Sequence, residues 1–194
     1  MAKFLFDKVF SLIGLIFSFP IFIVIAVLIK LSSPGPILFK QKRVGQNGKI
    51  FTVFKFRTMI INHSENSISV KGDERITRIG AVIRKYKLDE LPELWNILIG
   101  DMSFVGPRPD VPGYADKLIG ENKEILKLKP GITGPATLIY SNEEDLLACV
   151  DDPQKYNDEV IFPDKVRINL DYFENHTTLM DIKIIFKTIF RNNY

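Results

Sequence analysis

Asp89 and Glu90, side by side in Leu88-Asp89-Glu90-Leu91-Pro92-Glu93, are the residues best suited to do chemistry. Proline is tolerated only where backbone donors go unpaired, so Pro92 implies a helix restarting near Leu88 or Asp89. Two readings of the acids follow. Asp89 can cap that helix while Glu90 and Glu93 complement its dipole. Alternatively, adjacent carboxylates beside the unpaired amides of a helix start can supply a nucleophile and a Mg²⁺ ligand to a phosphate-bearing substrate. Cations suited to phosphate lie elsewhere in the chain. Arg108 sits between Pro107 and Pro109, which restrain the backbone on either side of a fork-shaped donor. Lys55 and Arg57 alternate with Phe51 and Val53 on one face of a strand, either as solvated edge charges or as a phosphate clamp.

Other chemistries are poorly supplied. The single cysteine, Cys149, permits no internal disulfide, and with only His63 and His176 as imidazoles a histidine-rich metal site or a serine-histidine triad is hard to build. Neither histidine nor the cysteine receives a role. The 194 residues contain 25% charged and 11% aromatic residues, a composition that packs a core instead of remaining disordered. The net charge of +3 conceals a gradient. Residues 1–80 carry 12 Lys/Arg against 4 Asp/Glu, and seven basic residues with no acid lie between Lys30 and Met59. Such a block attracts phosphate on lipid or nucleotide. It adjoins an apolar segment and has no base-reading motif, which argues against nucleic acid as a partner.

The apolar segment is Val9–Ile29, 21 uncharged residues of which sixteen are Ile, Leu, Val or Phe. On an insertion scale these favour a bilayer by roughly 5 to 10 kcal/mol. No A-x-A site follows, so a cleaved signal peptide is not expected. As a straight helix the segment would span about 31 Å, enough to cross a bilayer. Pro20 interrupts it, however, and the Ser18-Phe19-Pro20 break would turn the element into a re-entrant hairpin if the bend is strong. Lys3 and Lys8 before it, and Lys30, Lys40, Lys42 and Arg43 after it, agree with both ends on the cytoplasmic face.

Beyond Pro34-Gly35-Pro36 the period changes. Ile37–Val44 and Lys49–Met59 read as a β-hairpin turning at Asn47-Gly48. Residues 60–72 are polar and loop-like, 73–99 read as helix, and Tyr114–Leu128 reads as an amphipathic helix. Lys129-Pro130-Gly131-Ile132-Thr133-Gly134-Pro135 is a rigid glycine-bearing loop. Glu143-Glu144-Asp145 and Asp151-Asp152-Pro153 read as caps and solvated loops. The last helix, Leu179–Phe190, places Leu179, Ile182, Ile185, Phe186 and Ile189 on one face, read chiefly as core packing with membrane contact as the alternative.

Lys55-Phe56-Arg57-Thr58-Met59, Leu88-Asp89-Glu90-Leu91-Pro92, Gly100-Asp101-Met102-Ser103-Phe104-Val105-Gly106-Pro107-Arg108-Pro109 and Lys129-Pro130-Gly131-Ile132-Thr133-Gly134 occur in the order and spacing of the bacterial monotopic phosphoglycosyl transferases, also called bacterial sugar transferases. The chain resembles the minimal catalytic form of that family from about residue 3 to 190. The resemblance implies an α+β, mostly helical protein: a re-entrant membrane helix hairpin over residues 1–35, then a compact cytoplasmic catalytic domain over 36–194 at the inner membrane. It implies transfer of a sugar-1-phosphate from a nucleotide diphosphate sugar, usually UDP-linked, to polyprenyl phosphate. In the family pattern Asp89 would be the nucleophile and Glu90 its partner, with Mg²⁺ near them. Arg108 would grip phosphate, helped by Lys55 and Arg57. The chain departs from the family where Phe19, not serine, precedes Pro20. A membrane-attached scaffold that holds anionic lipid or a protein partner is the rival reading from another class. Sugar identity, glycan and oligomeric state are not encoded in these motifs.

Overall fold

The computed structural model describes residues 2–60 and 73–190, with side chains from residue 3. His63, Arg191 and most of the polar stretch expected at 60–72 lie outside the described residues. The chain divides into two compact units, Met1–Gln41 with Thr52–Gly100, and Lys42–Phe51 with Asp101–Tyr194.

The first unit begins with helix α1, Ala2–Ser32, which contains Pro20. At Ser18, Phe19 and Pro20, where a bend is expected, the helix continues through all three residues, and a proline bend is compatible with that continuity. A single proline removes one amide donor, that opposite the Ile16 carbonyl, and the flanking bonds carry the helix past it. Only 11% of the most apolar window of α1 is buried. Phe17, Leu31, Phe4 and Leu5 stand 57 to 80% exposed. That excludes the role of a surrounded core helix within the described residues and leaves a long apolar surface facing outward.

Both ends of α1 nevertheless pack inside the unit. Ile25 and Ile29 are buried with Phe56 and Ile83, and the Phe22 ring meets Phe56 edge-on at 5.2 Å. Near the N-terminus, Lys8 Nζ donates to the Leu98 carbonyl, Ser11 is fully buried, and a Cβ on Gly14 would stand 3.1 Å from Leu94 Cδ1. Strands β1 (Leu38–Val44) and β2 (Ile50–Phe56) pair as a hairpin. Asn47 and Gly48 take positive φ at its tip, as the Asn-Gly signal requires.

The helix expected over 73–99 is two helices, α2 (Arg78–Lys85) and α3 (Glu93–Ile99), joined through a 3₁₀ turn at Leu88–Glu90. Lys87 is the reason: its φ of 54° is left-handed, and an α-helix cannot pass through it. Thr77 caps α2 by accepting from the Gly80 amide at 2.9 Å.

In the second unit, β3 (Ser103–Val105) and β4 (Gly131–Thr133) pair in parallel, Ser103 opposite Gly131 and Val105 opposite Thr133. The helix expected over Tyr114–Leu128 is instead two 3₁₀ segments, Ala115–Lys117 and Gly120–Lys127. Gly120, at φ 59°, breaks the run between them. Then follow α4 (Pro135–Ile139), α5 (Glu143–Ala148), α6 (Pro153–Tyr156), a π-turn at Asn157–Ile161, α7 (Phe162–Asn175) and α8 (Thr178–Ile189). The acids at 143–145 fill the first turn of α5, and Asp152 caps α6 by accepting from the Lys155 amide at 3.0 Å.

Val105, Tyr172 and Ile184 form the core of this unit. On α8 the core expectation holds for part of the face, where Ile185 packs against the Val105, Tyr172 and Ile184 cluster. Asp181 and Ile184 face inward, while Leu179, Phe186 and Ile189 are more than half exposed. Tyr172 donates to buried Asp181 and Thr188 shares a hydrogen bond with Thr133, so polar anchors on the inner side turn the apolar face out.

Candidate active site

Asp89 lies in the 3₁₀ turn that leads into α3. The capping reading does not hold in detail: Lys87 precedes the turn, Pro92 precedes α3, and neither position uses the Asp89 side chain. The carboxylate is free of the structural duty that best explained it otherwise. Its Oδ1 is buried and has no hydrogen-bond partner among the described residues. Burial raises its pKa above the ordinary carboxylate value, and the neighbouring Glu90 charge adds to the rise, while Lys55, Arg84 and Lys87 oppose it. A buried polar atom left unpaired costs stability, and such costs concentrate at functional sites.

Lys55 organises the acids beside it. Its Nζ donates to Glu90 Oε1 at 2.9 Å and pairs with Glu93 Oε1 at 3.0 Å. Glu93, at the start of α3, is only 2% exposed, so Lys55 supplies a counter-charge it could not otherwise find in water. The geometry is held by Asn96, a fully buried residue on the same helix. Asn96 Nδ2 donates to the Thr52 carbonyl at 2.7 Å, and its Oδ1 accepts from the Phe54 amide at 3.2 Å. The side-chain amide thus completes the edge of β2 as a neighbouring strand would, and ties Lys55 to α3.

Arg57 takes a different position from the clamp expected of it. It is buried, and its guanidinium donates to the carbonyls of Pro34 and, at 2.8 Å, Ser33. It closes the chain just beyond α1, where backbone acceptors have run out of helical donors. Lys55, on β2, and Arg57, just past its end, therefore part company: one joins the acidic turn and the other anchors the chain beyond the apolar helix.

Arg108 belongs to the second unit and is exposed. Its loop is held by backbone contacts. Gly106 donates to the Thr133 carbonyl at 2.9 Å, and Gly131 donates to the Pro107 carbonyl at 2.8 Å. A Cβ on Gly106 would stand 2.2 Å from the Lys129 carbonyl oxygen, and one on Gly131 would stand 2.2 Å from the Gly106 nitrogen. The glycine loop at 129–134, read from sequence as turn chemistry, is the backing on which the Arg108 loop lies.

A family model described as bacterial sugar transferase matches residues 1–192. The chain belongs to the bacterial sugar transferase family. Among its relatives, a UDP-glucose:undecaprenyl-phosphate glucose-1-phosphate transferase of Xanthomonas campestris is 37% identical over 98% of this chain and 38% of its own length. A UDP-N-acetylgalactosamine-undecaprenyl-phosphate N-acetylgalactosaminephosphotransferase of Aeromonas hydrophila is 37% identical over 88% of this chain and 38% of its own length. An exopolysaccharide production protein of Rhizobium leguminosarum is 39% identical over 95% of this chain and 91% of its own length. The chain thus spans about four-tenths of the length of the first two.

Within this bacterial sugar transferase, the sequence motifs pointed to Asp89, Glu90, Lys55 and Arg108 but not to several residues that complete their surroundings. Glu93 was visible only as a dipole complement, and Asn96 gave no signal beyond being a polar residue amid an apolar helix. Arg84 and Lys87 enter the field of Asp89 because α2 and the left-handed Lys87 fold back on the turn. For Mg²⁺, the donor set is suitable: two adjacent hard carboxylates, Asp89 and Glu90, the first with an oxygen that has no partner among the described residues. Mg²⁺ commonly takes one or two carboxylates and completes its shell with water and substrate phosphate.

Proposed function

We propose that this chain transfers a sugar-1-phosphate from a UDP-sugar to undecaprenyl phosphate, releasing UMP, as the first membrane step of a glycan assembly. The observation that carries the reading is the Asp89 carboxylate: unpaired at Oδ1, raised in pKa by burial, and released from any capping duty. A more basic carboxylate is a stronger nucleophile, provided it is ionised at the working pH. Asp89 attacks the sugar-bearing phosphorus; an oxygen–phosphorus bond forms while the bond to the bridging oxygen breaks, and UMP leaves with that electron pair. An oxygen of the lipid phosphate then attacks the same phosphorus and expels the Asp89 carboxylate, giving the lipid diphosphate sugar.

Glu90, fixed by Lys55, keeps a second carboxylate beside Asp89. Asp89 and Glu90 would hold Mg²⁺, which when bound neutralises charge on the diphosphate. Arg108 is the phosphate fork of this reading, on a loop whose backbone cannot shift. Lys55 reaches a phosphate only by exchanging its carboxylate partners, and Arg57 contributes by fixing the chain beyond α1.

The same reading places α1 in the bacterial inner membrane as a re-entrant element, with the remaining chain on the cytoplasmic face. Its support is that both ends of α1 pack against one and the same compact unit, through Lys8, Ser11 and Gly14 at one end and Ile25 and Ile29 at the other, while the intervening apolar surface is exposed. The outward apolar face of α8 adds a second surface suited to the lipid boundary.

The test is direct. Full chain in nanodiscs, given a UDP-sugar, Mg²⁺ and undecaprenyl phosphate, should release UMP, and with the lipid acceptor withheld Asp89 should carry a sugar-phosphate adduct by intact mass. An Asp89→Asn protein that still releases UMP at the parent rate would sink the transferase reading and leave the lipid-binding scaffold.

A further inference from the structure

Helix α3 follows the acidic turn directly, and two of its three sides are occupied. Leu94 and Leu98 meet α1: a Cβ on Gly14 would stand 3.1 Å from Leu94 Cδ1, and Lys8 Nζ donates to the Leu98 carbonyl. Glu93 and Asn96 meet the hairpin, Glu93 through Lys55 at 3.0 Å and Asn96 through Thr52 and Phe54. The third side carries Trp95 and Ile99 one turn apart, 50 and 49% exposed. By helical geometry it lies about 100° round from the side that meets α1. On α1 itself the flanks of that contact are apolar and exposed, Phe10 and Phe17 to one side and Leu12 and Phe19 to the other. Trp95 and Ile99 thus border apolar surface whichever flank they adjoin.

We propose that Trp95 and Ile99 enter the boundary between lipid headgroups and acyl chains alongside α1, and that this contact sets the height of the Asp89 turn against the phosphate of a membrane-borne acceptor. The lipid contact rests on the placement of α1 in a bilayer, and the positioning role rests on the transferase reading. Three observations select lipid as the occupant. The adjoining surface belongs to α1, which is apolar and long enough to cross a bilayer. Indole joins an apolar body to one polar N–H, which suits the headgroup level. The chain entering the turn has matching chemistry: Tyr86 is 63% exposed with Lys85 Nζ 5.7 Å from its ring centre, and Lys87 is exposed beside it, so two cations are offered to anionic headgroups. Trp95 is a positioning residue, because it acts on Asp89 through α3. Lys8 ties the last turn of α3 to α1, and Lys55 holds Glu93 and Glu90 at its start, so α3 and the acidic turn move as one piece. A UDP-sugar arrives from water at whatever height the turn stands. A lipid phosphate lies only at the headgroup plane, so height governs the second displacement far more than the first.

Trp95 is the only tryptophan of the chain, so its fluorescence reports this position alone. The experiment places the full chain in nanodiscs whose lipids carry bromine either near the headgroup or near the end of the acyl chain. Trp95 emission should be blue-shifted and quenched more strongly by the shallow bromines than by the deep ones, and iodide in the buffer should quench it far less than free tryptophan. Emission open to iodide, or shielded from iodide and untouched by either bromolipid, overturns the proposal; the latter result assigns the surface to a protein. The second measurement separates the two displacements: the rate at which UDP-glucose forms the Asp89 adduct, and the rate at which undecaprenyl phosphate then discharges it. In Trp95→Gln the ratio of discharge to formation should fall by about 10-fold, a small misplacement of the reacting groups being worth that much. Trp95→Phe, which keeps an apolar ring, should hold the ratio within about 2-fold of the parent. Equal slowing of both steps in W95Q is the mark of a merely structural residue and overturns the positioning role. Lipid quenching in a protein that forms no adduct and releases no UMP keeps the lipid contact and removes the transferase reading together with the positioning role.

Discussion

The acidic turn of the first unit and the arginine loop of the second solve opposite problems. At the turn, side chains do the holding: Lys55 bridges two carboxylates, Asn96 braces the strand that presents Lys55, and Asp89 Oδ1 is left without a partner among the described residues. At the loop, backbone does the holding: Gly106 and Gly131 approach so closely that no Cβ fits between them, and Arg108 is left exposed at the surface. A group whose reactivity depends on its charge state needs an adjustable electrostatic surround. A group that must only grip needs an immovable base.

Removing the Asp89 charge tests the first half of that contrast most severely. Asp89→Asn should abolish UMP release, by about 10³-fold or more for a lost nucleophile. It should also raise the melting temperature at neutral pH. The unfolded chain ionises Asp89 near 3.8 and the folded protein only above it, so stability falls as pH rises through that window and stays lower beyond it. The gain in D89N should accordingly vanish near pH 3. A melting temperature lower than the parent's at pH 7 would show that the carboxylate is structural.

The second half breaks at a glycine. Gly131→Ala puts a methyl 2.2 Å from the Gly106 nitrogen and 2.5 Å from the Thr133 carbonyl oxygen. Backbone must move, at a cost of about 3 kcal/mol or more, read as a fall of roughly 6 to 12 °C in melting temperature. A neutral G131A would mean that the loop is pliable and the contrast false.

Lys55→Met should destabilise by about 2 to 3 kcal/mol, because buried Glu93 and Glu90 lose the Lys55 ammonium that bridges them. Its pH profile is more telling. Lys55 lowers the Asp89 pKa and Glu90 raises it. The acidic limb of the residual rate should therefore move to higher pH in K55M and to lower pH in Glu90→Gln; shifts of the same sign in both would show that the limb does not report Asp89. Gly14→Ala is the mildest case. The added methyl meets only the flexible tip of Leu94 at 3.1 Å, so denaturant unfolding should change by about 0.5 kcal/mol or less.

How much of this was legible beforehand differs by element. Composition displayed the apolar α1, and Asn47-Gly48 displayed the hairpin, because each is a local signal strong enough to stand without partners. At Ser18-Phe19-Pro20 the helix continues, since one lost hydrogen bond does not end a long helix, and Pro20 marks where it can bend. The helices expected at 73–99 and 114–128 failed at Lys87 and Gly120. Lys87 adopts a positive φ that lysine rarely takes and no residue pattern announces. On α8 the apolar face divides: Ile185 packs on the core while Leu179, Phe186 and Ile189 turn outward, because polar bonds from Tyr172 to Asp181 and between Thr133 and Thr188 hold the inner side.

From the chain alone came the family motifs, the paired acids, the proline-flanked arginine and an apolar segment too long for a core of this size. Those are matters of residue type and spacing along the backbone. Only the folded arrangement decided that Lys55 would pair with Glu90 and Glu93 while Arg57 turned to Ser33 and Pro34, and that Asp89 would be raised in pKa with its Oδ1 buried and without a partner among the described residues. The reason is physical. Charge and burial depend on distance through space, so residues far apart in the chain set one another's protonation and partners only after the backbone has brought them together.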